Sequence, residues 1–119
     1  MIQGSCHCGN VKLSIPYLTD TGTTCTCSIC FRYGSIWGYF TESQVRVEVK
    51  EGELRPYSHG DKLINFNHCS ICGCLTHYTS TSPTEESRLA VNYRMFSSDI
   101  VSKMKVRVFD GADTWQFLE

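Results

Sequence analysis

The chain has 119 residues and a formal net charge of −1 at pH 7. Its lysines and arginines are scattered singly, so it lacks the concentrated basic face that binding to nucleic acid or to an anionic membrane requires. No apolar run approaches the ~20 residues of a membrane span, and residues 1–4 lack the pattern of a secretory signal. We therefore predict a single domain over residues 1–119, in the cytoplasm, with no nucleic-acid or membrane partner.

Short segments in which apolar and polar residues alternate predict half-buried β-strands. In chain order these segments are 11–15, 45–49, 63–66, 89–93 and 104–109, with a further strand after Cys74. Turn residues at 51–53 and 58–61 separate two pairs of them. Helix is scarce, with one short helical turn predicted at 28–33 and another at 97–102. The sequence thus predicts a mainly β fold of antiparallel sheets, with the cysteines on turns at strand ends.

Seven of the eight cysteines fall into three tight groups. These are the N-terminal pair Cys6 and Cys8, the triplet Cys25, Cys27 and Cys30, and the third group, the pair Cys69 and Cys72, with Cys74 close behind. Such spacings suit a metal, because neighbouring thiolates can each place a sulfur about 2.3 Å from one Zn²⁺. Cysteines this close form a disulfide only in a strained geometry, and in a reducing compartment they are more often metal ligands.

The grouping divides the cysteines between two zinc ions. The two pairs together make a closed site of four thiolates, which is typical of a structural zinc. The triplet is one ligand short, and a zinc with three protein ligands and an open position is typical of catalysis. The sequence therefore predicts two Zn²⁺ per chain, one structural and one catalytic. A substrate thiol bound at the open position would become a thiolate able to attack an aldehyde.

Alternatives stay open at the triplet. A fourth ligand from Cys74 or a histidine would make it a second structural site, and the protein would then be a non-enzymatic, zinc-stabilised binding module. Cys74 and His77 are separated by an odd number of strand positions, so both reach one metal only if a bulge intervenes. Cys74 also fits a small buried apolar residue. Trp37, Tyr39 and Phe40 fit either a pocket wall beside the metal or the core.

Four segments carry a resemblance to a known family. They are residues 4–9 (GSCHCG), 25–30 (CTCSIC), 69–73 (CSICG) and the tail 109–115 (FDGADTW). In this order they resemble the glutathione-dependent formaldehyde-activating enzyme and centromere protein V family over nearly the whole chain. The resemblance implies an Mss4-like fold of twisted antiparallel sheets with zinc-binding turns.

The same resemblance implies residue roles and an activity. The positions that match the structural zinc are Cys6, Cys8, Cys69 and Cys72, and those that match the catalytic zinc are Cys25, Cys27 and Cys30. The implied activity is that of a carbon–sulfur lyase, which joins formaldehyde and glutathione into S-hydroxymethylglutathione or separates them. The expected partner is accordingly a small-molecule thiol or thiol adduct such as a glutathione derivative.

Overall fold

The computed structural model describes residues 1–119 and contains ten strands and two short α-helices. The strands are β1 (Ile2–Ser5), β2 (Val11–Ile15), β3 (Thr21–Cys25), β4 (Trp37–Thr41), β5 (Arg46–Val49), β6 (Arg55–Ser58), β7 (Ile64–His68), β8 (Leu75–Ser80), β9 (Arg88–Asn92) and β10 (Lys105–Phe109). The helices are α1 (Ser28–Tyr33) and α2 (Ser98–Lys103). The predicted mainly β fold is confirmed. Neither helix is long or apolar enough to cross a membrane.

Every segment with apolar alternation lies on a strand, and both predicted helical turns are present. The sequence did not reveal β1, β3, β4 or β6. Strand β3 reads TGTTC and so offers no large apolar residue, while β6 is mostly exposed and reads RPYS. A strand that buries threonine and glycine, or lies at an edge, leaves no hydrophobic period in the sequence.

The strands form two sheets. A three-stranded sheet has the order β1-β2-β5, and a seven-stranded sheet has the order β10-β3-β4-β9-β8-β7-β6. All pairs are antiparallel except β10 with β3, which run parallel. The large sheet is therefore mixed, where the sequence predicted only antiparallel pairing. The parallel pair brings the end of β10 beside the end of β3, with Phe109 opposite Cys25.

Strand β9 separates two cores. The core between the sheets, called the inter-sheet core, includes Val11, Leu13, Ile15, Phe40, Leu89, Val91 and Phe96. The second core, called the aromatic core, consists of Cys30, Trp37, Phe66, Leu75, Tyr78 and Ala90. Because neighbouring strand residues face opposite sides, Leu89 and Val91 enter one core and Ala90 enters the other. The large sheet is thus covered on both faces near its centre.

Two buried polar side chains lie on the central strands β8 and β9. Asn92 donates from Nδ2 to the carbonyl of Leu75 at 2.9 Å, and its Oδ1 accepts from the amides of Ile36 and Arg94. His77, on β8, is 2% exposed, and its Nδ1 lies 2.7 Å from the Thr76 hydroxyl. Burial lowers the pKa of His77 to about 4, so the ring is neutral at pH 7.

We predict that acid destabilises the fold through His77. Its pKa is about 4 in the fold against 6.5 when unperturbed, so the unfolded state takes up the proton first as the pH falls. Above pH 6.5 the group contributes no pH dependence, and the loss develops between pH 6.5 and pH 4. Denaturant unfolding should show about 2 kcal/mol of this loss between pH 7 and pH 5, and His77→Gln should lack it. An unchanged pH dependence in the variant would contradict this assignment.

Candidate metal centres

Four thiols from distant parts of the chain converge on one point. The Sγ atoms of this four-cysteine cluster, which consists of Cys6, Cys8, Cys69 and Cys72, lie within 4.8 Å of one another. The Cys8 sulfur is 3.7 Å from that of Cys6 and 3.7 Å from that of Cys69. Four sulfurs placed tetrahedrally about 2.3 Å from a zinc ion are about 3.8 Å apart, whereas a disulfide needs about 2.05 Å. The spacing fits a tetrathiolate zinc site.

Two similar turns supply these thiols. In each turn a glycine amide donates at 3.0 Å to the carbonyl of the first cysteine, Gly9 to Cys6 and Gly73 to Cys69. Both glycines have left-handed backbones, with φ of 80° and 78°, a conformation that costs glycine little. The Val11 amide then donates to the Cys6 sulfur at 3.2 Å. Amide donors of this kind stabilise thiolates, which are the form that binds metal.

The four-cysteine cluster links the two sheets. Cys6 and Cys8 follow β1 of the small sheet, and the other pair lies between β7 and β8 of the large sheet. Asn10 extends the β2–β5 pairing of the small sheet, since its amide group exchanges hydrogen bonds of 2.9 and 2.8 Å with the backbone of Glu51. Its Nδ2 also lies 3.9 Å from the Cys69 sulfur. A cation held here would therefore fix one sheet against the other.

The thiols of this cluster differ in their affinity for protons. The nearby amides of Cys74 and Cys8 lower the pKa of Cys72 to about 5. The amide of Asn10 lowers the pKa of Cys8, but burial and the neighbouring thiols outweigh it and raise that pKa to about 12. Without a cation the cluster thus holds both a thiolate and thiols. Metal binding releases the remaining protons, so it depends on pH.

Cys74 lies beside the four-cysteine cluster. Its side chain packs against the inter-sheet core, which contains Cys6 and Cys69, whereas Cys25 and Cys27 pack against the aromatic core. Neither group of converging thiols includes it. His77 is also outside both groups, although a bulge in β8 opposite His68 does interrupt the strand alternation. The geometry therefore does not bring Cys74 or His77 to the triplet.

We predict that Cys74→Ser retains the metal content of the wild type. The change is nearly isosteric and lies outside both groups of thiols, so it should cost less than about 1 kcal/mol of unfolding free energy. Elemental analysis of protein purified without chelator measures the metal content, and Cys72→Ser is the matched loss-of-ligand control. If Cys74→Ser loses one metal, as Cys72→Ser is expected to do, Cys74 is a ligand.

The triplet forms a second group of thiols, called the three-cysteine cluster. Cys25 ends β3, Cys27 occupies the N-cap position of α1 without a side-chain capping bond, and Cys30 lies inside α1. Their sulfurs lie within 4.8 Å of one another, and no fourth Cys, His, Asp or Glu donor joins them. Cys30 lies where the sequence predicted a short helical turn. Cys25 and Cys27 are half-buried, so the cluster can be reached from solvent.

Electrostatics make Cys27 the thiol of this cluster that ionises most readily when no cation is bound. Burial opposes the thiolate of Cys27, but the nearby amides of Cys30 and Ile29 and the adjacent thiols outweigh it and lower its pKa. Burial raises the pKa of Cys25 and raises that of Cys30 further. Three thiols at close range, one of them readily ionised, are donors that suit zinc.

Trp37 lies beneath the three-cysteine cluster. It is 1% exposed, and its indole Nε1 has no conventional hydrogen-bond partner. This N–H faces the Cys30 sulfur and favours its thiolate form, against the larger effect of burial. The ring also packs edge-on against Tyr78, with centroids 4.9 Å apart. The sequence left Trp37, Tyr39 and Phe40 as either pocket wall or core. Trp37 belongs to the aromatic core together with Cys30, and Tyr39 is half-buried and packs against that core. Phe40 belongs to the inter-sheet core.

A loop after β10, called the C-terminal loop (residues 110–115), covers one side of the cluster. The Thr26 amide donates to the carbonyl of Phe109 at 3.0 Å, and the Thr26 hydroxyl donates to Asp110 Oδ1 at 2.6 Å. This pairing holds Gly111 against the thiols, since a Cβ at that position would lie 2.7 Å from the Cys25 sulfur and 3.3 Å from the Cys27 Cβ. Only a residue without a side chain fits there.

Trp115 completes the loop in an unusual backbone conformation. Its φ of 59° is left-handed, and its amide donates to the carbonyl of Asp110 at 2.8 Å. The ring packs edge-on against Phe109, at 5.1 Å between centroids, yet the residue is 71% exposed. A large apolar ring thus stands in solvent close to the three-cysteine cluster. The sequence showed that residues 109–115 resemble a family motif, but it did not predict that they lie against the cysteines.

We predict that Gly111→Ala weakens metal binding at the three-cysteine cluster alone. The added methyl group would overlap the Cys25 sulfur, so the loop or the ligand must move, and overpacking of this kind typically costs 1–3 kcal/mol. Competition with a chromophoric chelator should show about tenfold weaker binding of one metal, with the other unchanged. Asp113→Ala, in the same loop but exposed, is the control. Equal weakening of both metals, or none, would contradict the close approach.

Comparison with known proteins identifies the family. The family model described as "Glutathione-dependent formaldehyde-activating enzyme" matches residues 1–110. A crystal structure of a Rhodobacter sphaeroides protein, a structural genomics target, is similar with a TM-score of 0.71 and 25% sequence identity, and the match covers 88% of this chain and 99% of that chain. The comparison with curated proteins gave no match. The chain belongs to the glutathione-dependent formaldehyde-activating enzyme family.

Proposed function

We propose that this protein is a zinc-dependent carbon–sulfur lyase that forms or cleaves a thiol–aldehyde adduct, of the S-(hydroxymethyl)glutathione synthase type. The observation that carries this proposal is the three-cysteine cluster, in which three thiols, two of them half-buried, lie within 4.8 Å and no fourth Cys, His, Asp or Glu joins them. Such a ligand set leaves a position for a substrate. The family match adds glutathione and formaldehyde as the first pair to test.

The two clusters would divide structure from reaction within one zinc-binding domain of residues 1–119. Cys6, Cys8, Cys69 and Cys72 would hold a structural zinc, and Cys25, Cys27 and Cys30 would hold a second zinc. Purely thiolate donors suit zinc better than magnesium or calcium, which prefer oxygen. The small-molecule thiol would be the partner, and the reducing cytoplasm, where such thiols are abundant and cysteines stay reduced, is the proposed location.

The chain's own residues prepare one accessible side of the cluster. A zinc ion bound there would act as a Lewis acid and would favour the thiolate form of a substrate thiol. Trp37 beneath Cys30 and Gly111 against Cys25 exclude water from the inner sides. The exposed ring of Trp115, which lies 3.6 Å from the position of a Gly111 Cβ, offers an apolar surface to the rest of the substrate.

The proposed reaction needs no oxidant or reductant. The substrate sulfur forms a bond to the carbonyl carbon of the aldehyde, the carbonyl π bond breaks, and the resulting oxygen takes up a proton. The proton that the thiol loses on binding balances the proton that the new hydroxyl gains. In the reverse direction the carbon–sulfur bond breaks and the aldehyde leaves.

The alternative is a non-enzymatic module in which both zincs are structural. It requires a fourth donor for the three-cysteine cluster, and no Cys, His, Asp or Glu of this chain lies close enough. A partner protein or a second copy would have to supply that donor. Measuring the exchange between glutathione and its formaldehyde adduct separates the two functions, because a structural zinc would not accelerate that exchange.

We predict that the protein accelerates exchange between glutathione and its formaldehyde adduct. Exchange NMR on mixed glutathione and formaldehyde should show at least about tenfold slower enzyme-dependent exchange with Cys30→Ser than with the wild type. Cys27→Ser, a less buried position, should behave alike, and Cys74→Ser should match the wild type. The uncatalysed reaction is subtracted in every case.

Folding and metal content must be checked for each variant. Cys30→Ser should keep one zinc, held by the four-cysteine cluster, and the dispersed amide spectrum of the fold. If the zinc-loaded wild type accelerates exchange no more than Cys30→Ser, glutathione and formaldehyde are not its substrates and the module becomes the better account.

A further inference from the structure

We propose that Arg88 binds a carboxylate of the substrate, so that the three-cysteine cluster acts on acidic thiols in preference to neutral ones. This role deepens the proposed function and rests on it for the identity of the reacting thiol. It concerns a residue that belongs to neither cysteine cluster and to no cysteine motif.

Strand register places Arg88 on the face of the sheet that carries the cluster. Ala90 of β9 pairs with Tyr39 of β4 and with Tyr78 of β8, and these residues share the aromatic core with Cys30 or pack against it. Because residues two apart on a strand face the same side, Arg88 lies on that face as well. It is the first residue of β9 and is exposed, so it stands at the rim of this face.

The guanidinium group is held in place by an aromatic ring. Its carbon lies 4.5 Å from the centroid of Tyr39, a typical cation–π distance. The side chain also lies close enough to Tyr78 to oppose, in part, the rise that burial causes in the pKa of that phenol. The contact with Tyr39 holds the guanidinium at the ring, and a guanidinium has more N–H donors than one tyrosine hydroxyl can accept. A preorganised fork of this kind loses little freedom when it binds a carboxylate.

Arg88 has no anionic partner within the chain. The ion pairs of the structure are Arg46 with Glu48 and Arg107 with Glu119. Asp110, the carboxylate that lies nearest to the cysteines in the C-terminal loop, is engaged by the hydroxyls of Thr26 and Thr114. An exposed guanidinium with no ion pair inside the chain is available to a carboxylate of a ligand.

The charge of the cluster makes such a cation necessary for an acidic substrate. Three thiolates carry more negative charge than one divalent cation neutralises, so the site would repel a second anion. A guanidinium at the rim reverses this repulsion and adds a bidentate contact. The acid group must be offset from the sulfur, because the Tyr39 ring separates Arg88 from the cysteines.

A short peptide carries its carboxylate at a distance from its thiol. An extended chain spans at most about 3.3–3.6 Å per residue, so a carboxylate one or two residues from a thiol lies about 3.5–7 Å along the chain from it. A thiol peptide with a free carboxylate at that spacing could place its sulfur at the cluster and its acid group at Arg88. A simple alkyl thiol has no group that reaches the guanidinium.

Binding measurements with two matched probes test the role of Arg88. The probes are glutathione and glutathione diethyl ester, which has the same thiol but no carboxylate, titrated calorimetrically into the zinc-loaded protein. Arg88→Gln should weaken the binding of glutathione about tenfold, the usual scale for a hydrogen-bonded charge, and should leave the ester unchanged. Arg88→Lys should fall between, because it keeps the charge and loses the fork. Arg55→Gln, exposed on the edge strand β6, should match the wild type for both probes.

Each other outcome overturns the inference. Equal weakening of acid and ester by Arg88→Gln would mean a structural effect, and no weakening of either would mean that the guanidinium does not touch the ligand. Failure of the zinc-loaded wild type to prefer the acid to the ester would have the same meaning. The exchange assay is separate. Arg88-dependent binding without accelerated exchange would sustain the carboxylate site and remove the enzyme, whereas accelerated exchange unaffected by Arg88→Gln would sustain the enzyme and remove the carboxylate site.

Discussion

The convergence of four thiols from two sheets is the constraint on which the architecture depends. Cys8 and Cys69 are 61 residues apart in the chain, yet their sulfurs lie 3.7 Å apart. Only 28 of the 119 residues are buried, so the hydrophobic cores are small and a cation at this cluster would contribute folding free energy directly. The small sheet lies over the large one because the cluster and the inter-sheet core hold the same junction.

The large sheet separates this structural role from the proposed reaction. Strand β9 is buried on both faces, and alternate residues feed the inter-sheet core on one side and the aromatic core on the other. The four-cysteine cluster belongs to the first side and the three-cysteine cluster to the second. Each site therefore has its own packing environment, and changes that loosen one set of thiols need not reach the other.

The neighbours of the three-cysteine cluster give it its chemical character. The three thiols themselves are local, within six residues of the chain, but Trp37, Tyr78, Arg88 and Gly111 come from four other strands or loops. The Trp37 N–H faces the Cys30 sulfur, Gly111 permits the close approach of the C-terminal loop, and Arg88 places a positive charge beside Tyr39. The surroundings of this short cysteine motif are thus assembled by long-range packing.

Local spacing in the sequence was sufficient to divide the cysteines into a group of four and a group of three, and to locate β2, β9 and α1. The spacing of candidate metal ligands and the periodicity of strands are each determined over a few residues, so both can be read directly from the sequence. Strand β3, the parallel pairing of β10 with it, and the contact of Gly111 with Cys25 were decided by the tertiary structure. The position of Cys74 was also decided by the tertiary structure, because it depends on the direction of β8 after the turn that precedes it. These features follow from the pairing of strands that are distant in the sequence, and the free energy of that pairing cannot be read from any single segment.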